Sequence, residues 1–435
     1  MAYDMIVVGA GIIGASISLA LTRAGASVLC VDRNPAAGYG STSSSSAIIR
    51  TTYSNYDSCA LAWEGVHVWR EWSEFLGAHI PSDTALAAYT ECGMIVLESP
   101  GSTMMDASCK HLSKLDIPWE RLDRSTLADR FPGIDTHTLS PARWFEDPMF
   151  GDLSGAYLES AIYAPDAGYV NDPLLAAQNI YMAAKAEGAV FCFGAEVTDI
   201  LNDNGRVQGV LLSDGERIEA PVVVNAAGPF SAQLNAMAGI SMQLPFATRP
   251  LRAEVCHLPR PEPLTNKTAE PFVLLDMDGG TYVRSDAADT LFIGGTEPEC
   301  DPLEWIDNPE DFNASPGPQW TAQAYRAALR VPDLQIPGQA KGVTALYDVT
   351  PDWTPVYDRS PLDGFYLAIG TSGNQFKNGP VAGELMAGLI AYCEQGGDHD
   401  AAPYQHDCMR TGNKINTGSF SRLRTINASI SNVMG

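Results

Sequence analysis

Hydrophobic and polar positions at the start of the chain alternate between a strand period and a helix period. Residues 4–9, DMIVVG, form a short β-branched run typical of a buried parallel strand, because both faces of such a strand are covered. A helical pattern, ASISLALTRAG, and a second apolar run, SVLCV, follow. The chain is therefore predicted to open with a strand–helix–strand unit.

Three glycines lie between the first strand and the helix. Gly9, Gly11 and Gly14 have the spacing G-x-G-x-x-G, and Asp32 follows the second strand about 20 residues later. The first glycine allows a tight turn, the second lets a pyrophosphate approach the backbone, and the third lets the helix pack on the strand. Asp32 can accept hydrogen bonds from a ribose. In this context the pattern predicts dinucleotide binding rather than a glycine-rich turn without a ligand.

Helical and strand patterns continue along the rest of the chain. Residues 60–77 are predicted to form one amphipathic helix, and a second helix is expected to begin at Pro173 after the cap Asp172. Three strands joined by the turn sequences NDNG and SDGE follow and end at Asn225. GGTYVRSDAADTLFIGG is predicted to be a hairpin, and GFYLAIG a buried strand before the helix PVAGELMAGLIAYCEQ. A second strand–turn–helix element thus lies near the other end of the chain.

Charge and cysteine content narrow the choice of partners. The chain has 27 Lys and Arg against 52 Asp and Glu, a formal charge of −25, which disfavours nucleic acid and anionic membranes as partners. No apolar run reaches the ~20 residues needed to cross a bilayer. Nine scattered cysteines without a C-x-x-C pair indicate reduced thiols, so a cytoplasmic location without a zinc site is expected.

Several motifs outside the glycine pattern resemble one family. Together with Gly9, Gly11, Gly14 and Asp32, the segments AIIRTTYS, APDAGYVNDP, VVVNAAGPF, YDVTPDWTPVYD and AIGTSGNQFKNGP look like the glycine/D-amino-acid oxidase family of FAD enzymes. The nearest branch is that of sarcosine oxidase, the sarcosine oxidase β-subunit and dimethylglycine dehydrogenase. The motifs occur in order from residue 4 to about residue 390.

The resemblance implies an α/β fold with two interleaved domains. A Rossmann-like FAD-binding domain, with a parallel sheet, helices and a β-meander, is expected at residues 1–87, 158–237 and 339–400. An α+β substrate domain on a mixed, largely antiparallel sheet is expected at residues 88–157 and 238–338. For the remaining tail, residues 401–435, covering the FAD-binding domain and contacting a partner are both open.

The resemblance also implies the chemistry. A hydride would pass from the carbon adjacent to the nitrogen of a small secondary or N-methylated amino acid to flavin N5, and the resulting imine would hydrolyse. The electron acceptor would be O2 or a protein or quinone. The alternative function is a flavin-bound assembly or interaction protein without amine turnover. A tRNA-modifying flavoenzyme conflicts with the acidic composition.

Four residues are expected to act on the substrate. Arg50 ends the IIR run that in sarcosine oxidases holds the substrate carboxylate, and a guanidinium fork matches a carboxylate with two parallel bonds. Lys377 falls on the lysine of the family loop S-G-H-G-F-K, which contacts the same group. Tyr282 is expected over the substrate, with Arg284 two residues later, and for both a lining or ion-pairing role is the alternative.

The residues expected to hold the cofactor come from six parts of the chain. The serine-rich stretch GYGSTSSSSAIIR is interpreted as a cofactor wall rather than a linker, and the backbone from Gly373 precedes a helix whose positive end would stabilise the reduced flavin. The candidate set is Gly9, Gly11, Ile12, Ile13, Gly14, Asp32, Arg33, Ser41, Thr42, Ser44, Ser45, Ser46, Val197, Ala226, Ala227, Gly228, Gly370, Gly373, Asn374, Gln375, Phe376 and Lys377.

Three departures from the family pattern refine the expectation. Residues 345–348 read ALYD where monomeric sarcosine oxidases attach the flavin through the cysteine of C-M-Y-T. The first histidine is His67, well beyond the serine-rich loop where dimethylglycine-type enzymes use one. FAD is therefore predicted to be non-covalent. An ungapped comparison places Phe292 where the monomeric oxidases carry an oxygen-activating lysine, so an oxidase and a dehydrogenase that uses another acceptor are both open.

Overall fold

A computed structural model describes residues 3–81, 83–153, 155–261, 271–286, 289–427 and 432. The described strands are β1 (Met5–Val8), β2 (Val28–Asp32), β3 (Ile48–Ile49), β4 (Tyr89–Glu91), β5 (Met94–Leu97), β6 (Glu120–Asp123), β7 (Ser160–Ala164), β8 (Gly168–Val170), β9 (Val190–Phe193), β10 (Val197–Asp203), β11 (Arg206–Leu212), β12 (Arg217–Glu219), β13 (Val222–Asn225), β14 (Arg249–Pro259), β15 (Val273–Asp276), β16 (Thr281–Ser285), β17 (Thr290–Gly295), β18 (Gly342–Val349), β19 (Val356–Arg359), β20 (Phe365–Ile369), β21 (Gln405–Asp407) and β22 (Lys414–Asn416). The described α-helices are α1 (Ile12–Arg23), α2 (Tyr56–Arg70), α3 (Trp72–Leu76), α4 (Met104–Lys114), α5 (Arg124–Arg130), α6 (Pro173–Ala186), α7 (Ser231–Met237), α8 (Pro318–Arg330) and α9 (Gly379–Glu394).

A six-stranded sheet brings distant parts of the chain together in the order β19-β20-β13-β1-β2-β9. All of its neighbouring pairs are parallel except β19 with β20. Helices α6 and α9 pack against α1, which connects β1 to β2. The predicted opening unit is confirmed, and so is the α/β fold class.

The region after α6 corrects one sequence prediction. Pro173 begins α6 and the Asp172 side chain accepts a hydrogen bond from Leu175 N at 2.9 Å, as expected. The predicted third strand, however, is two strands: β12 ends the three-stranded meander β10-β11-β12, and β13 joins the parallel sheet. Pro221 separates them, because proline has no N–H to continue an antiparallel ladder.

An eight-stranded sheet forms the second layer, in the order β18-β14-β17-β16-β15-β5-β7-β6. All neighbours in it are antiparallel except β15 with β5. One face, carrying Val283 and Ile293, packs with Trp320 of α8, and the other face carries Tyr282. Strands β7 and β18 belong to this sheet, although the predicted boundaries assign their residues to the FAD-binding domain.

The helix predicted over residues 60–77 is interrupted. It is divided into α2 and α3 at Glu71, whose backbone leaves the helical region with φ −105° and ψ 31°. Asn55 caps the first helix by accepting a hydrogen bond from Ser58 N at 2.7 Å, and Gly77 ends the second with φ 87°. Side-chain capping therefore starts the helix earlier than the amphipathic pattern indicated.

The described part of the C-terminal tail lies against the layer of the parallel sheet. Glu64 of α2 is buried and accepts hydrogen bonds from the N–H groups of Arg410 and Thr411, each at 2.9 Å. Arg422 donates to Asp358 of β19 at 3.1 Å. The described tail residues therefore pack on α2 and β19. No helix among the described residues combines the length and apolarity required of a bilayer span.

Candidate active site

A cavity of about 730 Å³ is lined from both large sheets. Its described wall includes the glycine turn after β1, the end of β2, residues 39–48, Arg50, the turn after β13, residues 344–348 of β18 and residues 371 and 373–377. Met94, Val273, Leu275 and Tyr282 close it from the eight-stranded sheet. The two glycine-containing elements predicted from opposite ends of the chain therefore meet at one site.

The glycine turn leaves a positive helix end facing this cavity. Gly9 has φ +106° and approaches the turn after β13 so closely that a Cβ would lie 2.3 Å from Ala226 O. Gly11 precedes α1 without offering a capping side chain, and the first turn of the helix has no acidic residue. No side chain of the helix's own first turn offsets its partial positive charge, which fits a pyrophosphate group.

Asp32 fixes the same turn. Its carboxylate accepts hydrogen bonds from Ala10 N at 2.6 Å and from Asn34 N at 2.7 Å, one at each oxygen. Each carboxylate oxygen has a second lone pair, so Asp32 can still accept from a ribose hydroxyl. Arg33 and Val197 lie in the wall beside it, at the predicted ribose end.

The serine-rich loop runs along the cavity. Every residue from Ser41 to Ser46 is in the wall, as the interpretation of the whole serine-rich stretch predicts, including Ser43, which the candidate set does not name. Ser41 Oγ donates to Leu346 O at 2.7 Å, Thr42 Oγ1 accepts from Ile12 N at 3.0 Å, and Ser46 Oγ shares a 2.7 Å hydrogen bond with Tyr282 Oη. The loop thus connects the start of α1 to the eight-stranded sheet, as a cofactor wall would.

Arg50 and Lys377 meet at the other end of the cavity. Both are at least 95% buried, and their charged groups lie over the ring of Tyr53, with Arg50 Cζ 4.2 Å and Lys377 Nζ 5.0 Å from the ring centroid. Arg50 also donates to Thr52 O, and Lys377 Nζ donates to Asn374 O at 2.7 Å. Tyr53 is a member of this group that sequence reasoning missed, although it lies within the family segment AIIRTTYS.

The electrostatics of this group favour an anionic ligand. Burial lowers the pKa of Arg50, and burial together with the charge of Arg50 lowers the pKa of Lys377 well below its usual value. Two buried cations that repel each other are stabilised by a ligand that brings a negative charge.

Tyr282 and three apolar side chains face these cations from the eight-stranded sheet. Burial raises the pKa of Tyr282 to about 12, so its hydroxyl stays protonated. Leu275 is directly opposite Tyr282 in the sheet, and Val273 is opposite Met94, so all four share one face. The apolar members, named here the apolar wall, are Met94, Val273 and Leu275.

Three predicted site residues lie outside the cavity wall. Gly14 packs the helix on the strand, since a Cβ there would lie 1.8 Å from Gly9 O. Gly370 has φ +67° and donates its N–H to Asp348 Oδ2 at 2.7 Å. Arg284 is held between the rings of Tyr169 and Phe292 and pairs with Asp286 at 3.3 Å, which corresponds to the ion-pairing alternative.

The remaining predicted cofactor residues are in the wall. They are Ile12, Ile13, Ala226, Ala227, Gly228, Gly373, Asn374, Gln375 and Phe376. Asp348, which the sequence prediction did not include, is also there, and burial raises its pKa to about 6. No cysteine or histidine is among the described wall residues, so neither side chain that the family uses for covalent attachment is available. The site fits FAD held without a covalent bond.

Two positions of β17, Phe292 and Gly294, bear on the reaction with oxygen, because the sequence comparison places an oxygen-activating lysine of the monomeric oxidases on this strand. Phe292 stacks on His257 with ring centroids 4.2 Å apart and is not in the described wall. The residue paired with Tyr282 is Gly294, where a Cβ would lie 2.4 Å from the tyrosine ring. Lys377 is the only lysine among the described wall residues. The tyrosine thus occupies the space that a longer side chain on β17 would need.

Comparisons with known proteins agree with this geometry. The chain is 29% identical over 256 residues to a glycine oxidase of Geobacillus kaustophilus and 28% identical over 270 residues to the mitochondrial sarcosine dehydrogenase of Homo sapiens. These matches cover 58% and 60% of the chain but only 61% of the oxidase and 28% of the dehydrogenase. The solved structure of L-proline dehydrogenase from P. horikoshii has the same fold, with a TM-score of 0.74 at 21% identity over 97% of both chains.

A family model also matches residues 4–389, most of the length of the chain. Its description is FAD dependent oxidoreductase. The matched range begins at β1 and ends in α9, so it contains both elements that meet at the cavity. The chain belongs to the DAO family of FAD-dependent oxidoreductases.

Proposed function

We propose that this chain oxidises the C–N bond of a small secondary or N-methylated amino acid to an imine that then hydrolyses. FAD, when bound, supplies the acceptor for the hydride. The single observation that supports an amino acid substrate is that two buried cations, Arg50 and Lys377, line the same end of the cavity and share the ring of Tyr53. A substrate carboxylate would accept charge-assisted hydrogen bonds from both side chains in the water-poor end of the cavity.

The chain's own residues would then orient the substrate. Arg50 and Lys377 would bind the carboxylate, Tyr282 would close the site from the eight-stranded sheet, and the apolar wall would contact the substituent. Two nearby cations also disfavour an ammonium group on the substrate. The nitrogen would therefore bind as the uncharged amine, which has the lone pair that imine formation requires.

The cofactor would be held along the same cavity. The start of α1 would bind the pyrophosphate, Asp32 the ribose, and the serine-rich loop with residues 373–377 the flavin end. The proposed electron acceptor is O2 or a protein or quinone. All nine cysteines are unpaired, which supports the proposal of a reducing compartment.

The decisive experiment is anaerobic reduction of the purified flavoprotein. Sarcosine, dimethylglycine, proline and D-amino acids are added singly, and bleaching of the visible flavin absorption is followed. Bleaching by sarcosine, dimethylglycine or proline to the spectrum that dithionite produces supports the proposal, whereas bleaching by primary D-amino acids alone contradicts the proposed substrate class. Re-oxidation by air then separates O2 from a protein or quinone acceptor. A flavin that dithionite bleaches and the whole panel leaves oxidised contradicts it, and stable capture of a partner would then favour the assembly function.

We expect Asp32→Asn to weaken FAD binding at least about tenfold. Both carboxylate oxygens accept from backbone N–H groups, so an amide must place its NH2 against a donor and lose a bond worth about 1.5–3 kcal/mol. The dissociation constant is measured by titrating apoprotein with FAD and following flavin fluorescence. Asp129→Asn, on an exposed helix position, is the matched control. Equal affinity of the two variants would exclude Asp32 from the ribose site.

A further inference from the structure

Tyr53 contacts both cations of the proposed carboxylate site. The Arg50 guanidinium carbon is 4.2 Å and the Lys377 ammonium nitrogen 5.0 Å from the centroid of its ring. The side chain is 1% exposed, so water does not screen these contacts. A single aromatic ring therefore faces two buried positive charges.

The ring is held in place by hydrogen bonds that do not involve Arg50. Tyr53 Oη donates to Asn374 O at 2.7 Å, and the same carbonyl accepts from Lys377 Nζ at 2.7 Å. Asn378 Nδ2 donates to Tyr53 Oη at 3.4 Å. The loop that carries Lys377 is fixed in turn, because Trp69 Nε1 donates to Lys377 O at 2.8 Å. The tyrosine thus belongs to the scaffold of the loop, and Arg50 lies against it.

The ring of Tyr53 attracts the two buried cations electrostatically. Burial lowers the pKa of Arg50 and Lys377, and Arg50 lowers the pKa of Lys377 further. The negative face of an aromatic ring attracts a desolvated cation, and this attraction opposes both effects. Burial raises the pKa of Tyr53 itself to about 12, so the ring stays neutral and acts through its quadrupole.

We propose that Tyr53 is a positioning residue whose ring keeps Arg50 and Lys377 charged and oriented before the substrate carboxylate arrives. This inference rests on the proposed function, because it assumes that the two cations bind a carboxylate. Preorganised charges need no rearrangement when the ligand binds, which increases affinity for the anion specifically. The ring would therefore increase the affinity for anionic ligands and leave the affinity for uncharged ligands of the same shape unchanged.

Two matched ligands and three variants test this role in the holoenzyme. Propanoate and propanamide have the same size, and their binding is measured by the change in the flavin absorption spectrum. Tyr53→Phe keeps the ring and loses the hydroxyl, whereas Tyr53→Leu and Tyr53→Met remove the ring with different shapes. We expect Tyr53→Leu and Tyr53→Met to weaken propanoate binding at least about tenfold and propanamide binding less than about twofold, while Tyr53→Phe keeps propanoate affinity within about threefold.

The pH dependence provides a second measurement that a purely structural role would not change. Propanoate binding weakens as Lys377 loses its proton with rising pH. Without the ring the protonated form of Lys377 is less favoured, so its pKa falls. Propanoate affinity is therefore expected to decline at lower pH in Tyr53→Met than in Tyr53→Phe. If one aliphatic variant does not fold, the other provides the comparison, and if neither folds, the ring is a core element and the proposal is overturned.

The remaining outcomes separate this inference from the proposed function. If wild-type protein does not respond to propanoate, the carboxylate site fails, and the role of Tyr53 fails with it. If wild-type protein binds propanoate and the ringless variants bind it equally well, or lose both ligands equally, only the role of Tyr53 is overturned. Selective loss of propanoate together with the shift in pH dependence supports it.

Discussion

Replacement of Arg50 by glutamine is expected to lower kcat/KM for amino acid substrates by about two to three orders of magnitude. Arg50 is 95% buried at the end of the cavity, and its guanidinium can form two charge-assisted bonds with a carboxylate. Each such bond is worth about 1.5–3 kcal/mol, and 1.4 kcal/mol corresponds to a factor of ten. Glutamine fills a similar volume and provides one neutral donor group.

The expected fall in kcat/KM of Arg50→Gln comes from both a higher KM and a lower kcat. A carboxylate bound in both the ground state and the transition state affects KM, whereas misplacement of the reacting carbon affects kcat. Arg50→Lys keeps the positive charge and loses the two parallel donor groups of the guanidinium, so its kcat/KM is expected to lie between the values of the wild type and Arg50→Gln. Steady-state turnover with an artificial electron acceptor at varied substrate concentration gives both constants.

A matched control separates the site from general effects of charge. Arg217 lies exposed on β12, in the meander and away from the cavity wall. Arg217→Gln removes the same charge from the protein and is expected to leave both constants unchanged. If Arg50→Gln behaved like Arg217→Gln, Arg50 would not hold the substrate.

Local signals in the sequence were sufficient to predict the structure where the interacting groups belong to one short βαβ unit. The glycines after β1, Asp32 and the helix between them form one such unit, and the structure shows Asp32 accepting from Ala10 N within it. The meeting of the serine loop with residues 373–377 depends on sheet order, which the resemblance implied and periodicity alone does not encode. Sequence reasoning was therefore most accurate where long-range pairing mattered least.

Tyr282 and Arg284 show what a sequence pattern cannot separate. Side chains two residues apart on a strand share one face, so alternation places both toward the same layer. The neighbours then distinguish them: Tyr282 faces the cavity and bonds Ser46, whereas Arg284 lies between two aromatic rings and pairs with Asp286. The partner strands that provide these neighbours are set by pairing over long distances in the chain.

Opening the apolar wall is expected to change substrate preference by at least about tenfold. Val273 is 1% and Leu275 5% exposed, and both line the cavity beside Tyr282, so shortening either side chain enlarges the cavity there. Val273→Ala and Leu275→Ala should therefore lower the ratio of kcat/KM for sarcosine to kcat/KM for N-propylglycine. The magnitude follows from discrimination by apolar pockets, where one methylene changes kcat/KM by about 10- to 200-fold.

The sign of this change distinguishes a specificity role from damage to the fold. A smaller side chain in a core lowers stability wherever it is placed, and Val210→Ala, in the buried meander, provides that comparison without touching the cavity wall. Loss of stability alone lowers activity with both substrates in the same proportion. Only a wall that contacts the substituent produces higher activity with N-propylglycine as activity with sarcosine falls. If both wall variants kept the wild-type ratio, the substituent would have to lie elsewhere in the cavity, because these two side chains close the face beside Tyr282.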